Sequence, residues 1–394
     1  MVVTKNPIIN RTEHECRFTG WCHPMSPDST SLCIQVGSFL RPKEIHEARQ
    51  AHLEGKITDA ELRKVEDDAI RTVVQQQEKA GLKGISDGEF RREYFHLDFL
   101  KHLGGVTVTQ NKLVEGKAEA APPQLTVTGK LAHTGPIQVA DYQFVKSCLS
   151  AEGTEVKVAI PSPTMVHFRG GRAAIDINSY PNIEDFFEDL AVVYRAEIDA
   201  LYKAGARYIQ LDDTNLAYLC SDEMRKAAEE RGEDVRQLPS NYAKLINAAL
   251  KDKPEDMTVA IHLCRGNFRS RSFASGGYEP VAEVLLKDLN VDQYLLEYDD
   301  SRSGGFEPLR HLPKGHKTVT LGLISTKTGK LEDKKEVIAR IREAAQYAPL
   351  EQLSVGCQCG FASTVHGNEL TQEEQWAKIQ LCQEIVEEVW GKKA

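Results

Sequence analysis

The chain has 394 residues, 41% hydrophobic and 27% charged, an ordinary globular balance in a length that needs no disulfide or metal to fold. Its 49 basic and 58 acidic residues leave a net charge of -9, which argues against a nucleic-acid binder or a protein of anionic membrane surfaces, since both need a basic face. No apolar run approaches the ~20 residues of a membrane span, and the opening MVVTKNPIINRTEHE has no apolar signal core. The nine cysteines are an odd number without framework spacing, so a soluble protein of a reducing compartment, the cytoplasm, is expected.

Eight short apolar runs follow one another: LCIQVGSF (32–39), LKGISDGE (82–89), VKVAIPSP (156–163), YIQLDD (208–213), TVAIHLC (258–264), QYLLEYD (293–299), TVTLGLIS (318–325) and LSVGCQCG (353–360). Each is apolar on both faces, the pattern of a buried parallel strand. Amphipathic helices are predicted between them at 43–54 with 59–80, 183–204, 222–232 with 241–251, 279–288, 333–347 and 371–391, with Pro42, Pro280 and Asp333 as openings. Eight strands alternating with helices predict a (β/α)₈ TIM barrel, an α/β fold. A doubly wound sheet is the rival, disfavoured by the strand count. Residues 102–150 break the rhythm: VTVTQNKLVEG and QLTVTGKLAHTGPI alternate Val or Thr with polar residues and carry turn glycines, so a β-hairpin inserted after strand two is predicted. The expected organisation is an N-terminal extension over 1–31 and one catalytic barrel over 32–394. Cys16, Cys22 and His23 in the extension are a weak metal signal, read as incidental residues of a tail.

Barrel enzymes gather their chemistry at the C-terminal ends of the strands. Those ends read Gly37-Ser38, Asp87-Gly88-Glu89, Pro161-Ser162, Asp212-Asp213, His262 with Cys264, Glu297 with Asp299, Ser325-Thr326-Lys327, and Cys357 with Cys359. In His262-Leu263-Cys264, positions i and i+2 of a strand point the same way, so an imidazole and a thiol face one point. Zinc takes such N and S ligands, and Cys359 and Glu297 can complete a His-Cys-Glu-Cys set from strands five, six and eight. Cys357 and Asp299 compete, because each shares its neighbour's strand face. The plain alternatives are a buried cysteine acting as a small hydrophobe and a Glu297–Arg302 ion pair. Asp212 and Asp213 could bind an amine, act as an acid/base pair, or cap a helix. Glu89 could meet a substrate ammonium or pair with Arg91 or Arg92. GLISTKT (322–328) lacks the glycine before the lysine of a phosphate loop, and Ser38 has no His or Asp placed to activate it.

Six stretches together resemble one family: IQVGSFLRP (34–42), ISDGEFRREYF (85–95), YIQLDDTNL (208–216), IHLCRGNF (261–268), LLEYDDSRSG (295–304) and VGCQCGFAST (355–364). They are similar to the catalytic half of cobalamin-independent methionine synthase, closest to its short single-barrel members, from about residue 32 onward. The resemblance implies a zinc ion held by His262, Cys264, Glu297 and Cys359, the second cysteine being the one followed by glycine. Alignment on Ser301-Arg302 would put Asp299 in place of Glu297. It also implies that Ser38, Glu89 and Asp212 contact the amino-acid thiol, homocysteine in the family. Three departures stand out. The family's second, amino-terminal barrel has no room in 394 residues, the tryptophan that stacks on folate after strand three has no counterpart in IPSPTMVHF, and Thr326-Lys327 stands where the family has a histidine after strand seven.

The resemblance implies zinc-dependent methyl transfer to a thiol, with a small-molecule thiol acceptor (homocysteine or a relative) and an alkyl donor such as a reduced folate. The leaving amine needs a proton, for which Asp213 and Lys327 are candidates. The alternatives are an epoxide-opening thiol transferase, a closed structural zinc site, and a barrel of the uroporphyrinogen decarboxylase type. The last would need Arg41, Arg91 and Arg92 as anion binders.

Overall fold

The computed structural model describes residues 32–109, 123–364 and 367–391. The expected extension over 1–31, with Cys16, Cys22 and His23, lies outside the described residues. From the first strand the chain runs β1 (Cys33–Ile34), α1 (Lys43–Leu53), α2 (Asp59–Lys79), β2 (Gly84–Ile85), α3 (Leu97–Leu100), β3 (Leu103–Thr109), β4 (Gln124–His133), α4 (Val139–Cys148), β5 (Glu155–Pro161) and α5 (Ile183–Ala204). It continues with β6 (Tyr208–Asp213), α6 (Asn215–Tyr218), α7 (Asp222–Glu230), α8 (Leu238–Ala249), β7 (Thr258–Leu263), β8 (Asn267–Phe268) and β9 (Arg271–Ser272). The last part is β10 (Gln293–Glu297), β11 (Thr318–Ile324), α9 (Lys334–Ala344), β12 (Leu353–Cys357) and α10 (Gln372–Trp390).

Eight parallel strands form one sheet in the order β1-β12-β11-β10-β7-β6-β5-β2. This is the predicted (β/α)₈ barrel, and each predicted run carries one of its strands. The doubly wound alternative fails, because β1 lies beside the last strand. Closure is incomplete: no ladder joins β1 to β2, and a single bond from Phe39 N to Gly88 O (3.2 Å) links the chain just beyond their ends. Side chains on the outer strand faces, such as Ile209, Leu211, Ile261, Leu263, Leu296 and Leu321, are buried beneath the helices. The inner face is more polar than the runs suggest. Tyr208 Oη donates to Gln293 Oε1 (2.6 Å), Gln293 Nε2 to Thr320 Oγ1 (3.1 Å), and Thr320 shares a hydroxyl bond with Ser354 (2.8 Å). Buried polar groups must be paired, and here the strands pair their own.

Helix ends follow local chemistry. Thr58 and Thr371 each form a capping box with the glutamate three residues on, and Asp333 accepts from Lys335 N and Glu336 N. The inserted hairpin pairs β3 with β4 antiparallel, as predicted. Glu197 of α5 fixes its outgoing end, pairing with His133 (2.7 Å) and accepting from Ile137 N and Gln138 N. Besides the short α3, α6, β8 and β9, which are not among the predicted elements, two stretches depart from the predicted pattern. Residues 139–148 form α4, whose two buried side chains, Tyr142 and Val145, give too thin an apolar stripe to announce a helix. The predicted helix 279–288 is reduced to one π-helical turn, Val284–Asp288, so Pro280 opens no regular helix. Among the described residues no helix is long and apolar enough to cross a membrane.

Gly356 sits in register with Ile34 across the only ladder that β1 makes, and a Cβ there would run into the Ile34 carbonyl oxygen. Gly356→Ala is expected to destabilise the protein by roughly 1–3 kcal/mol, because backbone has to move. Equilibrium urea unfolding checks this; an unchanged midpoint would contradict it.

Candidate metal centre

His262, Cys264, Glu297 and Cys359 meet at the C-terminal rim of the barrel, with one ligand atom from each inside a 4.8 Å span and all four residues buried. The local cause is visible strand by strand. His262 lies on β7, in register with Asp212 of β6 and Leu295 of β10. Its Nδ1 faces the Leu295 carbonyl at 3.2 Å, while Nε2 is buried with no hydrogen-bond partner. An imidazole whose one nitrogen is fixed by a carbonyl and whose other is left free is the usual preparation of a metal ligand. Cys264 follows one step past β7 and lies 3.5 Å, sulfur to sulfur, from Cys359; both thiols are free. Glu297 ends β10. Its Oε1 accepts from Arg265 N (3.0 Å), and Oε2 lies 3.5 Å from Gln358 Nε2.

The electrostatics reflect the crowding. The Cys264 hydrogen bond holds the Cys359 thiol well below its usual range, against the opposing effect of burial, and the same bond together with burial holds Cys264 well above. Burial alone would lower the His262 pKa, but the Cys359 sulfur and the carboxylates of Asp212 and Glu297 outweigh it and raise it to about 9. Burial, reinforced by Cys359, pushes Glu297 up to about 7 despite Lys327 and His262. Groups of this kind, crowded and buried, are the donor types that hold a divalent cation.

The rivals are placed elsewhere. Cys357 is still on β12 and lies against Cys382 of α10, because the strand ends there and the chain bends before Cys359. Asp299 lies beyond the end of β10, where its Oδ2 accepts from Lys327 Nζ at 2.6 Å, both side chains being buried. Arg302 pairs with Asp300, leaving Glu297 without that ion pair. At the end of strand one, Ser38 Oγ accepts from Ala362 N (3.1 Å). A Cβ on Gly360 would strike Ser38, so the Cys-Gly step lets the end of strand one pack against the loop that carries Cys359. Glu89 is buried beside Gly37, and a Cβ on that glycine would lie 3.6 Å from Glu89 Oε1. Burial raises the Glu89 pKa to about 7, opposed by Arg92 and assisted by Asp212. Asp212 is oriented by Gln210 Nε2 (2.6 Å). Asp213, one residue on, points the other way: its oxygens accept from Thr164 Oγ1 (2.5 Å) and Leu216 N (2.8 Å), which pins the corner into α6.

The arginines that a decarboxylase-like barrel would need bond mainly to structural partners, although Arg92 Nη1 is buried with no hydrogen-bond partner. Arg41 donates to the carbonyls of Ala362, Thr364, Glu89 and Arg92. Arg91 binds Asp67 and Asp141, and Arg92 donates to Ala159 O. Four residues around the centre carried no sequence signal. Tyr278 Oη brackets Glu297, accepting from its N–H (2.9 Å) and donating to its carbonyl (3.2 Å). Asn267 Nδ2 ties Gly360 O (2.8 Å) to the Thr326 hydroxyl (3.3 Å). Gln358 accepts from Thr326 N (3.0 Å), and Arg265 offers its backbone. Their neighbours in HLCRGN and CQCG marked the region, but only the fold chose their partners.

Residues 32–380 match the family model for the catalytic domain of cobalamin-independent synthase. The chain is 43% identical over 357 residues to the Bacillus subtilis protein YxjH, covering 90% of this chain and 93% of that one. It is 27% identical over 327 residues to a methionine synthase of Sulfurisphaera tokodaii, covering 83% and 84%. The solved structure of a Listeria monocytogenes protein, assigned as a vitamin-B12 independent methionine synthase, superposes with a TM-score of 0.74 at 39% identity, over 92% of this chain and 98% of that one.

The geometry separates the cysteines. Cys264→Ser and Cys359→Ser are each expected to abolish stoichiometric metal binding, whereas Cys357→Ser retains it. Tyr278→Phe, which loosens Glu297 without removing a ligand, is expected to weaken metal affinity by roughly 10–100-fold. Elemental analysis and competition with a chromogenic chelator read both; metal loss from the Cys357 variant would overturn the assignment.

Proposed function

The chain belongs to the cobalamin-independent methionine synthase family and is a methyltransferase of that type, and on that footing we propose that it is a zinc enzyme that methylates an amino-acid thiol, homocysteine or a near relative, from a donor such as a methylated reduced folate. The observation that carries the proposal is the convergence of His262, Cys264, Glu297 and Cys359, with Asp212 in register beside His262 and with Ser38 packed against the Cys359-Gly360 step. The donor set suits zinc: one imidazole, two sulfurs and a carboxylate, in a closed protein environment. A zinc tetrahedron has ligand-to-ligand edges of about 3.3–3.8 Å, and the two sulfurs stand 3.5 Å apart. Bound there, zinc supplies a Lewis acid that favours the thiolate form of an incoming thiol.

The protein's own groups do the rest. Glu89 and Asp212 receive the acceptor's ammonium, and Ser38 fixes the turn against which it lies. Glu297 would be one of the four groups holding the ion, and Arg265 N and Gln358 Nε2 keep its carboxylate turned toward the other three. Lys327, held by Asp299 and with its charge within reach of Glu297, delivers a proton to the leaving nitrogen of the donor. Asp213 serves as the anchor of the β6–α6 corner.

Zinc-loaded protein offered homocysteine with mono- and polyglutamyl methyl-folates, then with other thiols and alkyl donors, tests the reading; a folded protein that takes up less than one zinc per chain would sink it. Lys327→Met is expected to lower kcat by about 10²–10⁴-fold while leaving the acceptor's KM nearly unchanged. Because Glu89 titrates near 7, it gains charge as pH rises, so affinity for the ammonium of L-methionine should strengthen between about pH 6 and 8 and then level off. L-Methionine carries no thiol that would titrate in parallel. Glu89→Gln should bind more weakly and lose this pH dependence, as read by calorimetric titration.

A further inference from the structure

Among the described residues, strand β1 has a ladder on one side only, to β12. The backbone that follows it, 35–38, leads into the Gly37-Ser38 turn with no strand beside it on the β2 side. Buried carbonyls there still need donors. Lys157 of β5 supplies them: its ammonium donates to the carbonyl oxygens of Gln35 and Val36, the latter at 2.8 Å, and to Gln210 Oε1 at 3.0 Å. All three donors of the ammonium are thereby used. The Gln210 amide passes the connection on, its Nε2 holding Asp212 Oδ1 at 2.6 Å. Lysine is almost never fully buried unless it is paired, yet Lys157 is 5% exposed, inside the barrel. Burial draws its pKa down to about 8, and the carboxylates of Asp212 and Glu89 oppose that fall. Lys157 therefore shares with Arg92 the charge facing Glu89 and Asp212, and Lys157 is in addition bonded to the backbone in front of Ser38.

We propose that Lys157 is the positioning residue of the amino-acid pocket, holding segment 35–38 and, through Gln210, Asp212 at the separation that an α-amino-acid thiol requires. It does not touch the reacting atoms. Its consequence is specificity for amino-acid thiols over simple alkyl thiols, which carry no ammonium to be placed. The inference rests on the reading of Ser38, Glu89 and Asp212 as the acceptor's pocket.

The test uses the zinc-loaded full chain as wild type, Lys157→Met, Lys157→Arg and Gln210→Met. L-Methionine binding is followed by calorimetry, and steady-state KM values are measured for homocysteine, for 2-mercaptoethanol and for the methyl donor. Lys157→Met is expected to keep its zinc, weaken methionine binding and raise the homocysteine KM by roughly 10–100-fold, and leave the KM values for 2-mercaptoethanol and donor within about twofold. Lys157→Arg, which keeps a cation there, should recover most of the loss. Methionine binding at the wild-type level in a folded Lys157→Met, or parallel rises in all three KM values, would overturn the proposal. Should that variant fail to fold, Gln210→Met decides: it keeps the lysine and cuts its link to Asp212, so weaker methionine binding supports the inference and unchanged binding overturns it. A wild-type protein that binds no methionine sinks the pocket reading itself, a result distinct from equal binding by wild type and variants.

Discussion

Two sulfurs 3.5 Å apart, with a carboxylate and an imidazole in the same 4.8 Å span, are tolerable in a buried site only with positive charge among them. The crowding raises His262 and Glu297 above their usual ranges and leaves Cys264 and Cys359 sharing a hydrogen bond. A divalent cation would supply that charge at the centre. The barrel makes the arrangement possible because three of the four groups sit at or just past the ends of β7, β10 and β12, where parallel register brings strand termini to one rim.

Around this cluster the fold spends its polar groups on bracing. Tyr278 holds the β10 terminus by both backbone atoms of Glu297. Asn267 and Gln358 tie together the loops after strands five, seven and eight. Arg41 gathers four carbonyls from the loops after strands two and eight. Loops without regular structure become rigid when their buried carbonyls and amides are satisfied by side chains, and a ligand set assembled from three segments needs that rigidity. The incomplete closure between β1 and β2 belongs to the same economy. A lysine stands where a ladder is missing and donates to the carbonyls left there.

The sequence determined the barrel and much of its site. Eight apolar runs, with helices between most of them, left little else for the chain to form, and strand alternation alone aimed His262 and Cys264 at one point. Choices between neighbours were another matter. Cys357 and Cys359, or Glu297 and Asp299, have the same spacing along the chain, and strand parity gives each pair one face. Parity holds only while the strand lasts: β12 ends at Cys357 and β10 at Glu297, and past those points the loops decide. Tertiary structure therefore put Cys359 in the cluster and Cys357 against α10, and gave Asp299 to Lys327. It also gave Lys157 its partners, a charge that in VKVAIPSP reads only as an interruption of an apolar strand, because its acceptors lie 121 and 53 residues away in the chain. Periodicity is a local property and can be read from a sequence; which carbonyl or carboxylate a buried cation meets depends on closure of the barrel, and that is decided only when distant strands pack.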